Sequence, residues 1–167
     1  MSDHSHADTL SGANQGTGGA PALSVGNQYV RSVSLNVPDA PAVYASMPAR
    51  PHIGLVLDVN ARQLADRQLT FEVTLVMRAR GLTTPPSEEN PEPAALYEAE
   101  IAYSGLFALP PSEREVLETM LLIDAPRLLF PGARNVLLNL VREAGFPTIN
   151  IQPVDFVALW QARRKQG

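Results

Sequence analysis

Apolar and polar positions alternate with period two between Tyr29 and Phe107, and with a helical period beyond it. In "YVRSVSLNV", Tyr29, Val33, Leu35 and Val37 share one parity, and Ser32, Ser34 and Asn36 the other. "IGLVLDVN" places Ile53, Leu55, Leu57 and Val59 on one side. "QLTFEVTLVMRAR" sets Leu69, Phe71, Val73, Leu75 and Met77 against Thr70, Glu72, Thr74, Arg78 and Arg80. "LYEAEIAYSGLF" sets Tyr97, Ile101, Tyr103 and Phe107 against Glu98, Glu100 and Ser104. Strict alternation predicts half-buried strands of an antiparallel sheet with one face covered. Four strands precede any helix, the ordering of an α+β fold in which helices pack on one side of the sheet.

The connections differ in kind. "PDAPAVYASMPARP" carries Pro38, Pro41, Pro48 and Pro51 and is too long for a hairpin, so it is expected to cross over the sheet. "ARQLADRQ" suits a join between neighbouring strands, and "GLTTPPSEENPEPAA" reads as an acidic, solvated loop. After Phe107, Ser112-x-x-Glu115 has the form of a capping box, followed by an apolar stripe of Val116, Leu117, Met120 and Leu121. Pro126 and Pro131 are expected to break or kink the chain beyond that stripe. A helix from Ala133 to Ala144 then buries Val136, Leu137, Leu140 and Val141, with Gly145 as its left-handed cap and Pro147 preventing continuation. "TINIQPV" is apolar and strand-like, and a last helix starts from a cap at Asp155.

Composition changes the picture mainly by exclusion. The 167 residues are 45% hydrophobic, enough for one domain with a real core. A net charge of −4 argues against a nucleic-acid partner, which calls for a basic surface. The absence of cysteine removes disulfides and thiolate metal sites. The N-terminus lacks the basic and apolar regions of a secretory signal, and no run of ~18 apolar residues exists to span a membrane. A soluble, cytoplasmic chain is expected. Residues 1–26 are small, polar and Gly-rich and are expected to form a disordered tail, ahead of one domain over 27–162 and a short basic end over 163–167. His4 and His6 are tail histidines with few other ligands near, and "GANQGTGG" lacks the strand, helix and Gly-Lys-Ser/Thr ending of a phosphate loop.

Candidate chemistry is sparse. His52 stands alone in the ordered region; Ser46 and Asp58 are near in sequence, without a nucleophile elbow or an oxyanion loop. Glu98 and Glu100 share a strand face, as an acid–base pair would, but they share it with polar neighbours next to an acidic loop. No metal-ligand cluster and no cofactor motif is present, so the chain is read as a non-enzyme. The aromatic and Met side chains Tyr44, Met47, Tyr97, Phe107, Phe130, Phe156 and Trp160 remain; as a set they would place adaptable apolar surface around the crossover, in a groove.

"LFPGARNVLLNLVREAGFPTINIQPVDFVALW", residues 129–160, resembles the C-terminal half of the SecB protein-export chaperones. The likeness extends upstream through "GLF" at 105–107, "QLAD" at 63–66 and "NVPDAP" at 36–41, covering about residues 28–160. The resemblance implies a cytoplasmic homotetramer, a dimer of dimers, that binds unfolded secretory precursors and delivers them to the SecA ATPase without any cofactor. Carried over by position, its client groove falls on Met47, Ile53, Leu55, Leu57, Tyr97 and Trp160, with Phe107 and Phe156 of the aromatic set beside them. The SecA-facing acids would lie on the outer sheet face: Glu100 matches one, whereas Ser32 and Asn36 stand where acids are expected, leaving Glu72 and Glu98 to supply charge. Besides a purely structural scaffold with no affinity for unfolded chains, two other readings stay open. One is a chaperone of the same fold for a non-secretory client such as an antitoxin. The other is a small-ligand-binding or thioesterase-like oligomer using Glu98 or His52.

Overall fold

The four alternating runs form four strands in the computed structural model, which describes residues 22–167. They are β1 (Ser24–Asn36), β2 (His52–Gln63), β3 (Thr70–Leu82) and β4 (Ala95–Ala108), all antiparallel, in the order β1-β4-β3-β2. β1 and β2 are therefore the two edges, and the Pro-rich segment between them crosses the sheet as its length demands. The positions of His4, His6 and "GANQGTGG" lie outside the described residues. β1 already starts at Ser24, inside the stretch read as tail.

The alternation holds on β2, β3 and β4 but switches on β1. Tyr29 stands opposite Ser104 and Val30 opposite Tyr103, yet Ser32 stands opposite Ala102, so Arg31 is an extra residue. One inserted residue in a period-two chain exchanges the two faces. Tyr29 therefore points to the outer face, where its hydroxyl donates to Glu72, while Val33 and Leu35 point to the inner face. The uniform facing expected for "YVRSVSLNV" is corrected by this bulge.

The helical half is more continuous than its prolines suggest. α1 (Arg114–Thr119) starts after an extended Glu113, and the Ser112 hydroxyl is taken by the Pro110 carbonyl at 3.2 Å, so no capping box forms. Val116 is exposed, and the buried stripe is carried by Met120, Leu121 and Ile123. A π-helical turn, Met120–Asp124, leads into α2 (Ala125–Glu143), and the Ala125 N–H bonds the Met120 carbonyl five residues back. Pro126 follows directly on this wider turn, at the start of α2, where the changed hydrogen-bond register accommodates a residue without an amide proton. Pro131 lies within α2 on its exposed side, so the helix runs through both prolines instead of breaking at them. Gly145, at φ +86°, closes α2 as expected.

"TINIQPV" is irregular rather than a strand; Ile149 and Ile151 are buried, and Pro147 and Pro153 remove ladder donors. α3 (Phe156–Gln166) then starts where expected, the Asp155 carboxylate accepting from the Ala158 N–H at 3.0 Å. The basic residues Arg163, Arg164 and Lys165 are its last turn rather than a separate end.

α2 sends Ala125, Leu129, Ala133, Leu137 and Val141 into the core, a row at every fourth residue, and lies over β4 and β3. Val136 and Leu140 are only half-buried. The core forms between this row and Val73, Leu75, Met77, Ile101 and Phe107 of the inner sheet face.

Candidate client-binding strip and outer sheet face

β2 is the edge strand whose inner face α2 leaves to other elements. Its inner-facing residues Ile53, Leu55 and Leu57 are half-buried, and Val59 is buried. At 3.2–3.4 Å per residue, Ile53 to Val59 spans about 20 Å.

At one end of this strip sits the crossover. A 3₁₀ turn, Ala42–Ala45, buries Val43 and presents Tyr44, whose ring lies 5.5 Å from that of Phe146 and whose hydroxyl donates to the Ala144 carbonyl at 2.7 Å. Phe146 in turn packs 4.6 Å from Tyr97. Met47, later in the crossover, is half-buried against the hydrophobic core.

At the other end a cleft of about 260 Å³ is lined by Val59, Glu118, Leu122, Leu159, Trp160, Arg163 and Arg164. The Trp160 Nε1–H donates to the Glu118 carboxylate at 3.2 Å, and the Arg164 guanidinium lies 4.8 Å over the indole ring. Arg163 donates to the Val59 carbonyl at 2.8 Å and to the Asp58 carboxylate, tying α3 to β2.

The residues singled out for a groove thus divide. Ile53, Leu55 and Leu57 are half-buried along this strip with Trp160 at its Val59 end, and Met47 is half-buried in the crossover. Tyr97, Phe107 and Phe156 are fully buried: Phe107 and Phe156 fill the core, and Tyr97 lies beneath Phe146. Phe130 packs edge-on against Phe156 at 6.0 Å. Arg163, Glu118 and Phe146 complete the two ends and escaped the reading of single residues, because each acts through a contact distant in sequence.

The outer face is ionic and balanced. Glu100 pairs with Arg78 at 2.6 Å and Glu98 with Arg80 at 3.2 Å, both across the β3–β4 register. Glu72 is buried, 7% exposed, and accepts from Tyr29, Arg31 and, at 3.1 Å, Arg62. The Tyr29 hydrogen bond, helped by the two guanidinium groups against the cost of burial, holds the Glu72 carboxyl below the usual range. The same bond pushes the Tyr29 phenol up. Ser32 and Asn36 are exposed on this face, opposite Ala102 and Glu98. His52 is half-buried at the start of β2 and Asp58 is engaged by Arg163. Among the described residues no cluster of metal-ligating side chains occurs.

Comparison with known proteins places this architecture. The family model described as "Preprotein translocase subunit SecB" matches residues 17–167. The chain belongs to the SecB family. A protein-export protein SecB of Granulibacter bethesdensis is 42% identical over 160 residues, covering 96% of this chain and 92% of its own. That of Acidiphilium cryptum is 40% identical over 149 residues, covering 86% and 90%. Among solved structures, a SecB-like chaperone of Mycobacterium tuberculosis, in complex with a peptide from an antitoxin, shares the fold. It has a TM-score of 0.59 and 14% identity, over 80% of this chain and 88% of that one. SecB proteins are protein-export chaperones and not enzymes.

Proposed function

We propose that this SecB chain works in the cytoplasm, holding unfolded secretory precursors along the β2 strip and delivering them to SecA. The observation that carries the reading is the half-buried row Ile53, Leu55 and Leu57, which leads through Val59 to the cleft bordered by Trp160. Apolar burial is non-directional, so such a row accepts many sequences at modest strength, and no reaction or cofactor is needed. A tetramer, as a dimer of dimers, would present several strips and gain affinity by multivalency. On the outer face, Glu98 and Glu100 are the candidate SecA contacts. Both are already paired with arginine, so SecA must exchange those partners, and its binding should be salt-sensitive. Glu72 is buried and triply engaged, and it serves that face as a structural carboxylate.

The test is refolding. A denatured secretory precursor is diluted with and without an excess of this protein, folding is followed by fluorescence, and complex mass by light scattering. Arrested folding with the precursor on a particle of four chains is expected. Unchanged refolding and no complex would overturn the reading. Arrest of an antitoxin but not of precursors would favour a non-secretory client.

A further inference from the structure

Two rungs of matched residues cross the outer sheet face. Ser34 of β1 stands opposite Glu100 of β4, and Glu100 opposite Arg78 of β3; two residues along, Asn36, Glu98 and Arg80 repeat the order. At roughly 3.4 Å per residue the rungs lie about 7 Å apart, and neighbouring strands about 4.8 Å apart. The face therefore carries a column of carboxylates on β4 beside a column of guanidinium groups on β3. All four charged side chains are half-exposed, and with Ser34 and Asn36 they line a shallow depression of about 390 Å³.

Elsewhere on this face the charges are closed off. Glu72 is buried and takes Tyr29, Arg31 and Arg62. The two rungs stay open. Arg78 donates to Glu100 through Nε, and Arg80 meets Glu98 through Nε at 3.2 Å, which leaves donors on the terminal nitrogens for a second acceptor. Half-exposed pairs of this kind contribute little to the stability of a fold.

A partner that brings only cations to Glu98 and Glu100 breaks both pairs. It strands Arg78 and Arg80 about 5 Å from the incoming charges, on a surface that is losing its water. Guanidinium groups left unpaired at a drying interface oppose whatever the carboxylates gain. From this geometry we infer that the outer face docks a partner surface of both signs, with lysine or arginine over the β4 column and aspartate or glutamate over the β3 column. Arg78 and Arg80 are then direct contacts that set partner choice. The inference rests on the reading of this face as the SecA site, and it names the chemistry that the cognate SecA surface must carry.

The experiment measures the affinity of the full chain for cognate SecA at low ionic strength, with arrest of precursor refolding and Tm as controls. Arg78→Gln combined with Arg80→Gln should weaken SecA binding about threefold to tenfold, the worth of two surface charge contacts. Glu98→Gln combined with Glu100→Gln should do the same. Both should leave refolding arrest and Tm near wild type, and Arg78→Lys with Arg80→Lys should recover most of the affinity. Tighter binding by the arginine-to-glutamine variant would overturn the inference, because the arginines would then be internal competitors and the partner purely basic. Equal affinity would overturn it too, and so would a loss of affinity that tracks a fall in Tm and is not recovered by lysine. Wild type that arrests refolding but does not bind SecA would instead overturn the reading of this face beneath it.

Discussion

Glu72 shows how one residue can be read correctly by parity and wrongly by environment. Its outer-face position follows from alternation alone, and Arg62 stands opposite it on β2, but its partners Tyr29 and Arg31 depend on the bulge in β1, which brings Tyr29 to the same face. No sequence pattern announced that bulge, because Val30-Arg31-Ser32 keeps β-forming character on either face. Glu72→Gln keeps the shape, loses the charge that two arginines share, and turns an N–H₂ toward one of them. It should cost about 1–3 kcal/mol at neutral pH, read by urea denaturation. The pH dependence has a definite sign. The Glu72 pKa is depressed on folding, so its contribution is present above its ordinary value of 4.5 and is lost as pH falls through the lower folded value. The gap between wild type and Glu72→Gln should be flat around neutrality and close in acid. A gap unchanged from neutral pH into strong acid would show that the carboxylate charge is not what stabilises the site.

Within the elements, the sequence disclosed strands better than helices. Period two is a local signal, and β2, β3 and β4 appear at their expected positions. Of the prolines of α2, Pro126 follows a π turn and Pro131 lies inside the helix on its exposed side, neither of which its neighbours' pattern announces, and the strand-like "TINIQPV" is apolar because it packs, not because it pairs. How close α2 comes to the sheet was equally hidden. Gly132 lets it rest on Tyr103: a Cβ there would lie 2.5 Å from the Tyr103 hydroxyl oxygen and 2.6 Å from Cζ. Gly132→Ala gains about 1 kcal/mol of helix propensity and meets an overpacking cost of about 1–3 kcal/mol. A net loss of thermal stability is expected, reversed when Tyr103→Leu is added to remove the ring. If the double variant is no more stable than Gly132→Ala alone, the ring is not what sets the approach of α2.

Across the whole molecule the two sheet edges have opposite fates, and the groove residues were only partly legible for that reason: a sequence places side chains on faces but does not say which face a helix covers. α2 covers β4 and β3 and barely touches β1, so Val25, Val30 and Val33 stand on the inner face yet remain exposed, with Leu128 of α2 also exposed. β1, thirteen residues long, also has one edge with no neighbouring strand. An uncovered apolar face on a long free edge is a template for self-association unless another copy covers it. Assembly through β1 also suits the proposed function, since β2 and its strip lie at the opposite edge and stay open to client. Val33→Glu places a charge in that face. At 44% exposure in the single chain it should change the fold's own stability by no more than about 0.5 kcal/mol. Light scattering should nevertheless show a mass below that of the wild type, with the circular dichroism of the wild type. Binding of a short unfolded peptide should survive per chain, while a long client that bridges several strips should bind markedly less tightly as multivalency is lost. A variant that keeps the wild-type mass would show that the copies meet elsewhere, and β1 would then need another cover.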